Sequence, residues 1–280
     1  MLRAELDHLK SLALESRKKC IETQYLVKSG HLGGSFSAME MMIYLYFKKM
    51  NIQPGAEKNL ERDVFILSKG HASLGYYVVL AERGFFPVEE LQTYRQIDTR
   101  LQGHTHMDSV PGVECSTGSL GQGLSYGLGI ALSKKKQGLG GKVYVLLGDG
   151  EMQEGQIWEA LMLQSKLQLD NLIPIVDNNG LQLDSDVASV MGHPDFEQRI
   201  RAFGHHVVEV DGQDFEGIDR GFDQLIEGQA NCIIANTTKG AGISFMENQV
   251  PWHSKKLSEA EYEWALSELA EKEGTTYDRH

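Results

Sequence analysis

The apolar run 143–147 ends in Gly148-Asp149-Gly150, and the apolar run 172–176 ends in Asp177-Asn178-Asn179-Gly180. Short, continuous apolar runs of this kind read as strands buried on both faces, the pattern of a parallel sheet. Two such strands that each stop at a polar, glycine-bearing turn commit the chain to a sheet with a ligand at one edge. Twenty-seven residues, 151 to 177, separate Gly-Asp-Gly from Asn-Asn. The residue types suit a divalent cation carrying a diphosphate. A diphosphate cannot be buried bare, and Mg²⁺ takes about six oxygens, one or two from protein carboxylates and the rest from phosphate and water. Asp149 offers a charged oxygen, Asn179 a neutral one, and the backbone carbonyl of Leu181 a third. The glycines allow close approach of the backbone to an anion. Either motif alone reads equally well as an ordinary tight turn; their pairing after two buried strands favours the cation site.

Three more segments, 64–67, 207–210 and 232–235, read as strands. Helical periodicity covers 3–28, with Gly30 placed to end it, then 72–83, 156–168, 194–203, 215–227 and 258–272. Ser37-Ala-Met-Glu40 matches a capping box opening a helix over 39–49, and Pro54-Gly55 marks a loop. The alternation predicts an α/β fold: a three-layer, doubly wound, mainly parallel sheet, binding its ligand outside the C-terminal strand ends. No repeat or linker divides the chain, so 1–280 reads as a single domain with N- and C-terminal helical extensions.

A net charge of −12 over 280 residues argues against nucleic acid or an anionic membrane as partner. No apolar run reaches membrane-spanning length, and charges run through residues 1–20 where a signal peptide would be apolar. Cys20, Cys115 and Cys232 are far apart with no CxxC spacing, and read as free thiols in a reducing cytoplasm.

Gly118-Ser-Leu-Gly-Gln-Gly123 leads into a helix carrying Gly127 and Gly129. A helical glycine costs about 1 kcal/mol relative to alanine, so this density needs close packing or close ligand approach to explain it. A dinucleotide fingerprint fails: Tyr126 stands where the third glycine belongs and no strand precedes the loop. No GxxxxGK[ST] is present either. His31, His71, His104 and His253 each sit beside glycine, polar or turn residues rather than inside periodic apolar runs. A lone histidine so placed is more often structural; four of them beside a diphosphate motif make a candidate set. His106 has no comparable argument, and His205 and His206 open a strand and read as structural. Glu154 reads either as a first-turn acid favoured by the helix dipole or as part of a proton relay or a contact across a subunit interface.

Taken together, the paired Gly-Asp-Gly and Asn-Asn resemble the thiamine diphosphate signature. In order along the chain, Ser29-Gly-His31-Leu-Gly, Ser68-Lys-Gly-His71, Gln102-Gly-His104, the glycine loop 112–123, Gly148-Asp-Gly-Glu-Met-Gln-Glu-Gly155 and Trp252-His253 resemble the N-terminal half of transketolase. The resemblance covers about 29–253. It implies that His71, Gly118, Ser119, Leu120, Gly150, Glu151, Asn179 and His253 hold thiamine diphosphate. It implies that Asp149, Asn179 and the Leu181 carbonyl ligate Mg²⁺ or Ca²⁺. It makes His31, His104 and His253 catalytic groups facing the reacting carbon and the sugar oxygens, and Glu154 a buried interfacial glutamate linking two cofactor sites. The implied reaction moves a two-carbon ketol unit from a ketose or ketose phosphate to an aldose. Leu32 and Thr105 stand where many members have proline, and Ser185 where glycine often follows the aspartate. The first two border the presumed substrate region and leave donor and acceptor open.

Full-length transketolases are more than twice as long, and their pyrimidine-binding domain has no counterpart here. The chain therefore resembles the stand-alone N-terminal subunit of a split transketolase, active with a separate C-terminal subunit in a two-plus-two heterotetramer. Three alternatives remain: another thiamine diphosphate-dependent ketol or acyl transferase, an enzyme for an unusual sugar, and a non-catalytic cofactor-binding or regulatory subunit.

Overall fold

The structure, a computed structural model, describes residues 1–192 and 195–277. Five parallel strands form one sheet in the order β1-β2-β3-β5-β4. They are β1 (Val64–Leu67), β2 (Val143–Gly148), β3 (Leu172–Asn178), β4 (His206–Asp211) and β5 (Asn231–Asn236). The period-2 alternation of strand side chains sorts them into two cores. Phe65, Leu67, Tyr144, Leu146, Ile173 and Ile175 pack on one face; Val64, Ile66, Val143, Val145, Leu147 and Val176 pack on the other. The expected three-layer, mainly parallel α/β architecture is thus present.

The first face is covered by α1 (Arg3–Val27), α2 (Leu32–Ser37), α3 (Met39–Tyr44), α4 (Ser73–Glu82), and, after β4, by α9 (Phe215–Asp223), with α10 (Glu259–Tyr277) laid against α1. The second is covered by α5 (Gln122–Gln137), α6 (Gly155–Leu167) and α8 (Phe196–Ala202); a short helix, α7 (Val187–Met191), precedes α8. Residue 194, where the α8 helix was expected to begin, lies outside the described residues. Pro174 is tolerated inside β3 because pairing with β5 begins only at Ile175.

Two local expectations are corrected. Ser37 does not cap a helix: it ends α2, and its hydroxyl donates to Gly34 O and Asp177 Oδ2. The residue before α3 is Ala38, with no side-chain cap, and Glu40 pairs with buried Arg17 instead. The segment after α3 is a wide π turn, Leu45–Lys49, closed by Met50 N–H on Leu45 O. Likewise α1 is terminated by Lys28, which follows Val27 in the left-handed region (φ 52°), two residues before Gly30.

The register aligns the ligand edge. Gly148 pairs with Asp177 across β2 and β3, so the Gly-Asp-Gly and Asn-Asn turns leave the sheet side by side.

Candidate active site

Asp149 is the first residue past β2 and only 2% exposed. Its Oδ1 accepts from Gly150 N–H at 2.8 Å and its Oδ2 from Gly180 N–H at 2.6 Å, so one carboxylate joins both turns. Asn179 donates through Nδ2 to Asp177 Oδ2 at 3.1 Å and accepts at Oδ1 from Leu181 N–H at 3.1 Å. The Leu181 carbonyl accepts from the ammonium of Lys239 at 3.0 Å. A carboxylate, an amide oxygen and a carbonyl therefore converge, with a side-chain cation on the carbonyl. This all-oxygen set suits a hard divalent cation that completes its shell with phosphate and water. Among the described residues no group of three His, Cys, Asp or Glu side chains offers a self-sufficient metal cage.

Burial and the neighbouring Asp177 push the Asp149 carboxyl up to about 6. Asp177 is buried too, but Lys69 and hydrogen bonds from Ser37 and Thr237 outweigh the burial and hold its carboxyl below the usual range. Lys69 is itself 2% exposed and also donates to Gly34 O at 2.9 Å. Burial depresses Lys239 to about 8, with the charges of Asp149 and Asp177 opposing the shift.

Three imidazoles meet above this set. The ring centroids of His71 and His253 lie 5.0 Å apart, and His31 sits edge-on to both at 5.5 and 5.3 Å. Burial, reinforced by nearby cations, takes all three below the usual histidine range, His31 to about 3 and His253 to about 4. They are neutral at physiological pH, able to donate from one ring nitrogen and accept at the other. His253 Nδ1 lies 3.2 Å from the Lys239 ammonium, which can only donate to it.

A cleft of about 320 Å³ is lined by His71, Leu120, Asp149, Gly150, Glu151, Glu154, Asn179, Leu181, Lys239 and His253, among others. His31 borders it through its ring contacts. Gly118 holds φ +135°, and a Cβ there would stand 2.8 Å from the His104 ring, so the glycine loop lies directly against His104. Ser119 is exposed on the same loop. Glu151 points its carboxylate inward: it accepts from Ser68 Oγ, Gly121 N–H and Gly148 N–H, locking the loop to the ends of β1 and β2. What Glu151 offers the cleft is therefore its backbone. Glu154 begins α6 and is exposed on the rim of the cleft in this chain.

Sequence reasoning assigned no role to Lys69, Asp177, Lys239 or Arg95. The signal for Lys239 was present: it follows Thr237-Thr238 at the C-terminal end of β5, on the edge where the other site residues gather.

The family profile described as "Transketolase, thiamine diphosphate binding domain" matches residues 10–273. The chain belongs to the transketolase family. It is accordingly a thiamine diphosphate-dependent transferase of that type. An apulose-4-phosphate transketolase subunit from Actinobacillus succinogenes is 41% identical over 263 residues, covering 91% of this chain and 95% of its own length. The 6-deoxy-6-sulfo-D-fructose transketolase subunit SqwG of a Clostridium species is 40% identical over 260 residues, with 92% and 94% covered. Human transketolase is 38% identical over 95% of this chain but only 42% of its own. The solved transketolase of Campylobacter jejuni superposes with a TM-score of 0.87 at 28% identity, over 96% of this chain and 43% of that one. This chain therefore matches the two subunits almost end to end and under half of the longer enzymes.

Proposed function

We propose that this chain is one domain forming the diphosphate-binding subunit of a two-chain, cytoplasmic transketolase. Asp149, Asn179 and the Leu181 carbonyl would hold Mg²⁺ or Ca²⁺. His71, Gly118 through Leu120, Gly150, the backbone at Glu151, Asn179 and His253 would hold thiamine diphosphate, with Lys239 adding positive charge. When bound, that cofactor supplies the carbon centre that accepts a two-carbon ketol unit from a ketose and passes it to an aldose. The chain's own part is positional and protonic. Neutral His31, His104 and His253 donate to the donor sugar's hydroxyl and carbonyl oxygens and return protons to them. Glu154, exposed on the rim, would meet a second subunit.

The observation that carries this reading is the convergence, in one cleft, of the three hard oxygens with the neutral imidazoles of His71 and His253. A partner is inferred because two relatives covered almost end to end are named as subunits. Those relatives are named for apulose-4-phosphate and 6-deoxy-6-sulfo-D-fructose, and Leu32 and Thr105 depart from the commoner proline, so an unusual sugar or its phosphate is the second reading. The test is native mass spectrometry of the tagged chain from its own cells, in thiamine diphosphate and Mg²⁺, followed by a ketol-transfer assay. A heterotetramer of two plus two chains with two cofactors, active on ketoses, is expected. Full turnover by the chain alone would sink the two-chain reading. A stable complex that binds cofactor but transfers nothing would favour a regulatory subunit.

A further inference from the structure

Arg95 has no place in the cation or diphosphate set, yet its geometry is unusual. Its backbone lies in the left-handed region (φ 58°), which costs a non-glycine residue about 1 kcal/mol. The peptide N–H is nevertheless held by Leu101 O at 2.9 Å. This conformation aims the guanidinium across three segments. Nη1 donates to Ser29 Oγ at 2.9 Å; Nη2 donates one hydrogen toward His31 Nδ1 and the other toward Gly103 O, each at 3.3 Å. Among the described residues the buried Nε has no hydrogen-bond partner; it lies against Gly103, where a Cβ would stand only 2.6 Å away. Gly103 thus leaves the space that the guanidinium plane fills, one residue before His104.

A guanidinium has five N–H donors and no acceptor. A ring nitrogen facing it must present its lone pair, so the proton of a neutral imidazole goes to the other nitrogen. We propose that Arg95 is a positioning residue that fixes His31 as the neutral tautomer carrying its proton on Nε2, ready to donate to a sugar oxygen. This deepens the proposed function and rests on it only for what His31 faces. The groups around His31 agree in sign. Burial comes first, then Arg95, with His253, His104 and Lys239 also opposing a positive ring. His71 packs against the same ring. The strongest influences on it include no carboxylate and all disfavour a charged ring, so Arg95 faces a neutral imidazole and its N–H selects the tautomer.

The test is ¹⁵N NMR of the intact chain with labelled histidine, His31 being assigned by loss of its signals in His31→Gln. The wild type should show a protonated-type Nε2 and a lone-pair-type Nδ1, with no titration between pH 7.5 and 5. Arg95→Met should give mixed tautomers and raise the His31 midpoint by about one unit as a neighbouring cation is lost, while Arg95→Lys, whose ammonium can only donate, should keep the Nε2–H form. A wild-type ring protonated on Nδ1 would overturn the proposal without any variant. An unchanged tautomer and midpoint in folded Arg95→Met would overturn it as well. Neither result needs cofactor or partner, so failure here is separable from failure of the transketolase assay.

Discussion

At the scale of single residues, the proposed cation site leans on a charge pair, Lys69 and Asp177, that is not part of its oxygen set. The Asn179 side chain is held by its amide NH₂ donating to Asp177 and its oxygen accepting from Leu181 N–H, and Asp177 stays ionised inside the protein because Lys69 faces it. Removing one member of a buried, hydrogen-bonded pair leaves an uncompensated charge and costs about 3–5 kcal/mol. Lys69→Met should therefore destabilise the chain by that amount in urea unfolding. Lys69→Met combined with Asp177→Leu should recover part of the loss, because the stranded charge is then gone. A loss below about 1 kcal/mol in the single variant would mean that water or backbone had replaced the lysine. Asp149 carries a second prediction. Its carboxyl is raised to about 6 in the cation-free chain, so below that pH a divalent cation has to displace a proton. Mg²⁺ affinity in the presence of thiamine diphosphate should be flat from pH 8 to 7 and fall roughly tenfold by pH 5. Isothermal titration at the three pH values checks this; an equal affinity at pH 5 would place the cation elsewhere.

At the scale of elements, α5 shows how differently two glycines in one helix are used. A Cβ on Gly127 would lie 2.5 Å from Val145 Cγ2, so the helix can rest on β2 only because that side chain is missing. Gly129, two positions on, faces open space. Gly127→Ala should cost about 1–3 kcal/mol by overpacking, whereas Gly129→Ala should stabilise by about 0.5–1 kcal/mol through helix propensity alone. Opposite signs in chemical denaturation are expected; the same sign for both would mean that the helix seat is not rigid. The pair also marks how far the sequence could be read. Glycine density in 118–129 announced a constraint, but only the packing tells which glycine answers to it. Four strands were readable because each carries a short apolar run buried on both faces, and β4 because Val207, Val208 and Val210 flank a single exposed Glu209. Ser37 misled because a hydroxyl three residues before a glutamate fits a capping box, while its partner, Asp177, is 140 residues away. Arg95 was invisible for the same reason, since the groups it faces come from distant segments, whereas Lys239 had its place after β5 as a signal but not the partners that give it a role. The turns around Asp149 and Asn179 were readable because their partners are local or lie at aligned ends of adjacent strands.

At the scale of the whole molecule, neutral histidines occur on both sides of the sheet, and this sets how the fold answers to acid. His31, His71 and His253 cluster at the ligand edge, while His205 lies in the other layer, 5% exposed, with Nε2 3.1 Å from Gln164 Oε1. Burial lowers His205 to about 4 from an ordinary value near 6.5. Between those values the unfolded chain holds a proton that the folded chain refuses, so stability rises with pH there: the group costs nothing above 6.5 and its penalty grows as pH falls toward 4. Asp149 and Glu151, whose carboxyls burial raises, act in the opposite sense and soften the response near the cleft. His205 stands apart from those carboxylates, so it can be isolated. His205→Gln replaces the ring with a neutral amide that does not titrate. The wild type should lose about 2 kcal/mol more than this variant between pH 7.5 and 5.0, read as the difference in unfolding free energy from urea curves at each pH. If the two lose equally, His205 is protonated in the native state, and acid sensitivity would have to come from the histidines of the cleft alone. Cofactor and Mg²⁺ would then blunt it. With His205 as a source on the far side of the sheet, a part of it should persist however tightly the cleft is filled.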